Sequence, residues 1–435
     1  MKYLIKQFSI GKEARNATWL ICGKITQMLL SLIVGVFTAR YLGPGNYGLV
    51  NYGMAFVSFF MAFCTLGINS IIIKDFIDNP HEQGLAIGTT LVLRAVSSFC
   101  SAVMIISIVA LLDKNEPLTI AVVILCSISL LFHIFDTFNY WFQSKYMSKV
   151  TAIATLIAYV ATSLYKIILL LLNSQILWFA FASSVDYIVL GVILSIAYKL
   201  NNGPRLKFSW NKAKYLLKNS YHYILSGMMV AIYGQTDKLM LKQMLDDASV
   251  GYYSTATAIC SMWVFVLAAI IDSVHPTIMQ LYKQNYSEYE RKNRQLYAIV
   301  FYISFFVSIL FVLFGDFAIK ILYGKDYAPA GAPLKIITWY TSFSYLGVAR
   351  NAWIVCEGKQ KYLKYLYFSA AVINVLLNLI FIPLRGAAGA AFASLITQTS
   401  TSILLPLFFK DLRKNSILML QAITLRGIFD TDITH

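Results

Sequence analysis

Charged side chains stand inside apolar stretches of this sequence, where they could only be kept for a reason. The cations are Lys24, Arg94, Lys166, Lys238 and Arg350, and the acids are Asp136, Asp186, Asp237 and Asp272. An ionised group at a bilayer centre costs at least about 2.5–3.5 kcal/mol, so such residues face a hydrated cavity or a partner. Lysine and arginine lining a cavity would give charge-assisted hydrogen bonds to a phosphate. Buried aspartates would relay protons; balancing the nearby cations is an equal alternative, so the energy source stays open. Helical spacing gathers many of these groups onto common faces. Arg94 falls beside Ser97, Ser98 and Ser101, and His133, Asp136, Tyr140 and Gln143 share a second face. Lys24, Gln27 and Ser31 form a third, Tyr223, Ser226, Tyr233 and Asp237 a fourth, and Tyr340, Phe343, Gly347 and Arg350 a fifth. Asp237 and Lys238 are sequence neighbours, point about 100° apart and cannot serve one contact. Five cations on different helices exceed what internal pairing needs. The set favours a watery cavity, with Lys166 its weakest member.

The elements that hold these groups are long and apolar. Of 435 residues, 58% are hydrophobic and 13% charged, with a mean hydropathy of +0.66. A soluble chain carries roughly a quarter charged residues. Segments near 17–38, 48–73, 88–112, 118–142, 150–172 and 176–198 are each able to cross a core of about 30 Å. After a polar, basic stretch come 220–241, 251–279, 296–318, 331–355, 363–384 and 386–409. The expectation is an all-α membrane protein of about 12 transmembrane helices. Pro276 is expected to bend or end the eighth of them. The amino-terminal basic stretch has no cleavage signal after it, so the first apolar run reads as a retained helix.

The net charge of +16 reflects side rather than nucleic acid. With the amino terminus cytoplasmic, alternate loops hold 24 Lys and Arg against 7 on the opposite side. That bias places both termini in the cytoplasm and makes the helix count even. The cysteines form no CxxC pair, and neither His81 nor His275 has a metal-ligand partner at i+4, so no metal or cofactor is expected.

The two halves echo each other. Asn16 is followed 32 residues later by Gly48, and Asn219 is followed 32 residues later by Gly251. Phe181-Ala182-Ser183 recurs as Phe392-Ala393-Ser394 at an offset of 211, and Trp141 and Trp353 differ by 212. Six helices separate equivalent positions, so the repeats run parallel, with a substrate path expected between lobes. The expected layout is a six-helix lobe over 1–198, a cytoplasmic linker over 199–218, a second lobe over 219–409 and a cytoplasmic tail over 410–435.

Asn16-Ala17-Thr18-Trp19 and Arg40-Tyr41-Leu42-Gly43-Pro44-Gly45-Asn46-Tyr47-Gly48 resemble the opening of Wzx-type polysaccharide flippases. These belong to the multidrug/oligosaccharidyl-lipid/polysaccharide (MOP) superfamily, with the MATE drug exporters and the peptidoglycan lipid flippases. The glycines and Pro44 allow a sharp reversal, and Arg40 and Tyr41 suit the outer interface, so the motif fixes a hairpin rather than touching substrate. The resemblance implies a MATE-like V of two pseudo-symmetric lobes around a central cavity in a bacterial inner membrane. It implies passage of an undecaprenyl-diphosphate-linked oligosaccharide to the outer leaflet for O-antigen, capsule or exopolysaccharide assembly. Membrane lipids would be partners, along with a polymerase and a chain-length regulator. On that reading Lys24, Arg94 and Arg350 hold the diphosphate, Lys238, His133 and Tyr140 line the cavity, and Asp136, Asp186, Asp237 or Asp272 couples an ion. A MATE-type drug/cation antiporter is the first rival and would want an uncharged or anionic cavity. A membrane glycosyltransferase or polymerase is the second, but no catalytic constellation stands in any loop.

Overall fold

A computed structural model describes residues 12–426, with side chains from residue 26 onward except at Leu29, Ser70 and Ser226. Every apolar segment read from the sequence falls on helix, and no strand occurs among the described residues. In order these are α1 (Lys12–Thr65), α2 (Asn69–Asp78), α3 (Gln83–Leu112), α4 (Pro117–Phe132), α5 (Thr137–Ser144), α6 (Ser148–Leu171) and α7 (Ile176–Leu200). Then follow α8 (Trp210–Met244), α9 (Asp247–Ser261), α10 (Val264–Gln284), α11 (Tyr286–Leu322), α12 (Gly331–Cys356) and α13 (Leu363–Thr399). A π turn over Ser400–Leu404 leads into α14 (Leu405–Phe408) and α15 (Lys410–Ile423). Eight stretches among the described residues are long and apolar enough to cross a membrane, and two of them each contain two of the predicted segments.

Those double segments are interrupted by single glycines. In α1 the helical pattern breaks at Gly43 (φ 70°), just before Pro44, and in α13 it breaks at Gly386 (φ 58°). Both values lie in the left-handed region, where only glycine sits without strain. At Gly386 the chain doubles back: a Cβ built on Gly389 would lie 1.9 Å from the Phe381 carbonyl oxygen. Eight residues of straight helix would separate those positions by about 12 Å. The eighth predicted segment, in contrast, is two helices. A tight turn, with Met262 N–H on the Ile259 carbonyl at 3.2 Å, divides α9 from α10. No glycine or proline marks that break, so hydropathy passes over it. α10 runs through Pro276 without ending. Where polar residues begin a helix, the caps are ordinary ones: Asp246 accepts from Ser249 N–H at 2.7 Å, and Asn285 from Glu288 N–H at 3.1 Å.

Helix faces are sorted for lipid rather than water. On α11, Asn293, Ser304 and Ser308 are fully buried, while Phe306, Leu313 and Phe317 are exposed. The small polar residues let helices meet closely, and Ser308 Oγ donates across to the Thr338 carbonyl of α12 at 3.0 Å. That is the inside-out arrangement of an integral multi-pass membrane protein.

The chain divides into two compact units, one of residues 1–42 and 49–231, the other of 43–48 and 232–435. In the second unit the repeat-related glycines cross reciprocally. A Cβ on Gly48 would lie 1.8 Å from the Asp247 carbonyl oxygen, and one on Gly251 would lie 2.2 Å from that of Pro44. Backbones at this distance exclude any side chain.

In the first unit the polar stretch 199–218 is held in place. Lys207 N–H donates to the Gly84 carbonyl at 3.1 Å and Ser209 N–H to Thr89 Oγ1 at 3.2 Å. Lys212, at the start of α8, pairs with Asp75 at 2.8 Å and Glu82 at 3.0 Å. Burial pulls the Lys212 pKa down, but hydrogen bonds to both carboxylates outweigh it and the value is raised. A raised lysine pKa gives stability that is present below the ordinary value of about 10.4 and lost as pH climbs through the folded value. Lys212→Met strands the buried Asp75 carboxylate and is expected to cost about 3–5 kcal/mol. Melting of the detergent-solubilised protein should fall by the same amount across neutral pH, and the gap to wild type should narrow only in strong alkali.

Candidate functional site

The buried carboxylate of Asp237, 6% exposed on α8, gathers the polar groups of the second unit. Tyr253 Oη of α9 and Ser394 Oγ donate to its Oδ2, the latter at 2.5 Å. Asn374 and Asn378 donate their side-chain amides to Oδ1 at 3.1 and 2.6 Å. The asparagines are one helical turn apart on the first arm of α13, and Ser394 stands on the second arm. The reversal at Gly386 is therefore what lets one helix supply three of the four donors. Asn378 Nδ2 also reaches Asn374 Oδ1 at 3.1 Å, and Asn374 Nδ2 reaches Ser394 Oγ at 3.2 Å. Taking a carboxylate out of water costs several kcal/mol, and charge-assisted donors are what offset it.

A cavity of about 140 Å³ opens beside this carboxylate, lined by Tyr233, Asp237, Lys238, Thr257 and Tyr340 among others. At about 30 Å³ per water it has room for a few solvent molecules or one small ionic group. The Lys238 side chain faces the same space, and among the described residues no ion pair joins it to Asp237. This fits two neighbours that diverge on the helix while sharing one cavity. Tyr233 Oη donates to Gln398 Oε1 at 2.7 Å, which fixes one wall. Asn378 Oδ1 is buried with no hydrogen-bond partner. Asp237, Tyr233, Tyr253, Thr257, Tyr340 and Ser394 give the wall the oxygen groups that hard cations prefer.

In the first unit Arg94 of α3 meets the segment that carries His133, Asp136 and Tyr140. Arg94, 1% exposed, donates to Thr137 Oγ1 at 3.1 Å and to Asn69 Oδ1, and its guanidinium lies 5.4 Å from the Tyr140 ring. The Tyr140 hydroxyl interacts with both Asp136 and Arg94. Asp136 also accepts from Asn139 at 3.2 Å, and the His133 ring lies 5.3 Å from that of Tyr187. The turn carrying His133 and Asp136 is a tighter 3-10 turn between α4 and α5, which keeps the two on one side. Lys166 and Asp186 face each other's charge, and Asp186 accepts from Thr162 at 3.4 Å.

Other members of the expected set lie elsewhere. Arg350 is 5% exposed and donates Nη1 to the backbone carbonyls of Thr401 and Ser402 at 3.1 and 3.3 Å. Asp272 is exposed on α10. Lys24 falls on α1, but its side chain lies outside the described residues. The groups that complete the Asp237 site carry no formal charge. Asn374 and Asn378, at i and i+4 in an apolar run, are the sequence signal for it, and Ser394 is legible only as part of the repeat.

Residues 14–282 match the family model described as polysaccharide biosynthesis protein, and residues 223–380 match that of MatE. CapF, a capsular polysaccharide biosynthesis protein of Staphylococcus aureus, is 20% identical over 410 residues, which span 91% of this chain and 99% of that one. Among solved structures, the lipid II flippase MurJ in an inward closed conformation has a TM-score of 0.70 at 15% identity, covering 96% of this chain and 93% of its own. An inward-facing multidrug resistance MATE family transporter of the MOP superfamily has a TM-score of 0.66 at 16% identity, covering 90% and 96%. At these identities the structural likeness is one of fold.

The Asp237 cage makes its own forecast. Asp237→Leu leaves four donors without their acceptor, at about 1–3 kcal/mol for each that finds no water. Asp237→Asn keeps the shape and one acceptor oxygen. Thermal melting in detergent should show a large fall for the first variant and a small one for the second.

Proposed function

Because the chain belongs to the polysaccharide biosynthesis protein family, we propose that it is a flippase carrying a lipid-linked oligosaccharide across the bacterial cytoplasmic membrane. The substrate class is an undecaprenyl-diphosphate-linked repeat unit for capsule, O-antigen or exopolysaccharide assembly. The observation that carries this reading is the cavity at Asp237 and Lys238. A polar pocket with an ammonium and several hydroxyls, set inside a lobe of membrane-spanning helices, is costly unless it meets a polar cargo or ion. A diphosphate with sugars cannot cross hydrocarbon alone, for the same solvation reason.

In this mechanism Lys238 offers its ammonium to the anionic headgroup. The lipid tail stays in the bilayer. Asp237 is the coupling group: its cage takes up a monovalent cation, sodium or a proton, and the exchange biases alternating access between lobes. Asp136, Asp186 and Asp272 are then secondary, since none gathers as many hydrogen-bond donors among the described residues. Both termini lie in the cytoplasm, as the Lys and Arg bias requires, and the sugars are handed to a polymerase on the far side.

One feature favours a second reading, a drug/cation antiporter: a carboxylate on the cavity wall suits a cationic cargo. The two readings part in proteoliposomes. Fluorescent undecaprenyl-diphosphate oligosaccharide should become accessible to a membrane-impermeant quencher at a rate that depends on the protein. Lys238→Gln is expected to slow this about 10–100-fold, the worth of one hydrogen bond to a charged group. Asp237→Asn should make the rate indifferent to imposed sodium and proton gradients. Normal flipping by Lys238→Gln, together with transport of lipophilic cations by wild type, would favour the antiporter and sink the flippase.

A further inference from the structure

Arg350 is a buried cation that the headgroup reading leaves without a task. Its place becomes intelligible from a proline. In an α-helix the Ser402 carbonyl would accept from the N–H of residue 406, but that residue is Pro406, which has none. The ring of a proline also crowds the carbonyl four residues before it. The helix answers by widening into the π turn over Ser400–Leu404. Arg350 Nη1, from α12, then reaches the Ser402 carbonyl at 3.3 Å and that of Thr401 at 3.1 Å. A neighbouring helix has supplied the donor that the proline withholds.

The same turn is tied to the cavity wall. Ser402 Oγ donates to the Phe343 carbonyl at 3.0 Å and accepts from Gln398 Nε2 at 2.9 Å. The other end of that amide, Gln398 Oε1, accepts from Tyr233 Oη at 2.7 Å, and Tyr233 lines the cavity with Asp237. Every link is a direct hydrogen bond within the second unit. The path runs from guanidinium to π turn, to Ser402, to Gln398, to Tyr233.

We propose that Arg350 is a positioning residue for cation coupling: by holding the π turn open, it sets Ser402 and Gln398, and through them the Tyr233 hydroxyl beside Asp237. The inference rests on the coupling role given to Asp237 above. Closing the turn to α geometry would rotate the chain beyond it by about 100° and shift it by about 1.5 Å. Ser402 would then turn relative to α12 and leave the Phe343 carbonyl, which moves the group that seats Gln398. π turns commonly mark such adjustable places. Arg350 accordingly acts at a distance from the ion and makes no contact with the cargo.

The test uses the full chain in detergent and reads the melting temperature against two probes, sodium chloride titrated against choline chloride, and a pH series. Wild type should be stabilised by one of them, and Asp237→Asn should abolish that response. A response that survives Asp237→Asn refutes the coupling role itself, as does the absence of any response in wild type, and the proposal falls with it. With the response established, Arg350→Met should move its half-point about tenfold, one hydrogen bond's worth, while the full extent of stabilisation is retained. Arg350→Lys, which still offers a donor to the carbonyls, should restore part of the shift. Ser402→Ala and Gln398→Leu should move the half-point in the same direction, and they decide the matter if Arg350→Met does not fold. An unchanged half-point in Ser402→Ala and Gln398→Leu overturns the proposal. So does an Arg350→Met protein whose cation response is normal while its flipping is lost, because Arg350 would then be touching cargo.

Discussion

A carboxylate buried among membrane helices must be solvated by protein, since neither lipid nor a dry core will do it. Asp237 meets that constraint with two amides and two hydroxyls, and much of the second unit follows from the requirement. Asn374, Asn378 and Ser394 can converge only if α13 folds back on itself, which needs a residue free to adopt positive φ at 386. Tyr253 reaches Asp237 from the helix that follows the short turn after Met244. The cavity is the remainder: space left where four polar side chains have turned towards one acceptor.

Interruptions in the helices do as much as the helices. A membrane span can expose no free backbone group to lipid, so each break has to be repaired locally. Gly43 and Gly386 break the chain where it turns. Pro406 breaks it inside the last span, and there Arg350 supplies a donor to the backbone carbonyls of Thr401 and Ser402. This gives a buried arginine a structural explanation that charge counting alone could not. It also separates Arg350 from Arg94, whose guanidinium is held by side chains, Thr137, Asn69 and Tyr140, and not by backbone.

What was legible in the sequence follows the same physics. Span positions were readable because hydrocarbon thickness demands long apolar runs, and each predicted run lies on helix. The common side of His133, Asp136 and Tyr140 was readable from their spacing, whereas their meeting with Arg94 of another helix is a tertiary contact that periodicity does not give. The break between α9 and α10 was not, since the residues around Met262 and Trp263 are as apolar as their neighbours. The Asp237 cage was half readable. Asp237 was conspicuous as a charge, whereas Asn374 and Asn378 are neutral and Ser394 is distant in sequence, so their meeting depends on a reversal. Arg350 was conspicuous for the same reason as Asp237, but its partners are carbonyl oxygens, which every residue carries and no sequence pattern advertises.

The repeat shows how one scaffold can carry unlike chemistry in its two copies. The offset of 203 that relates Asn16 to Asn219 and Gly48 to Gly251 also relates Pro44 to Asp247, and the close glycine crossing obeys it in both directions. Backbone geometry has therefore been kept through the duplication. Carried back by the same offset, Asp237 falls on Val34 and Lys238 on Gly35. Val34 is buried and apolar, so the first copy has no acid at the equivalent place. Its polar centre is instead built around Arg94, two predicted spans along the chain from Val34. Symmetry in the backbone serves folding, since both copies must solve the same problem of packing helices in lipid. The side chains are freer to differ, and the polar groups of the two copies differ accordingly: an acid caged by four donors in one, a guanidinium held by Thr137, Asn69 and Tyr140 in the other.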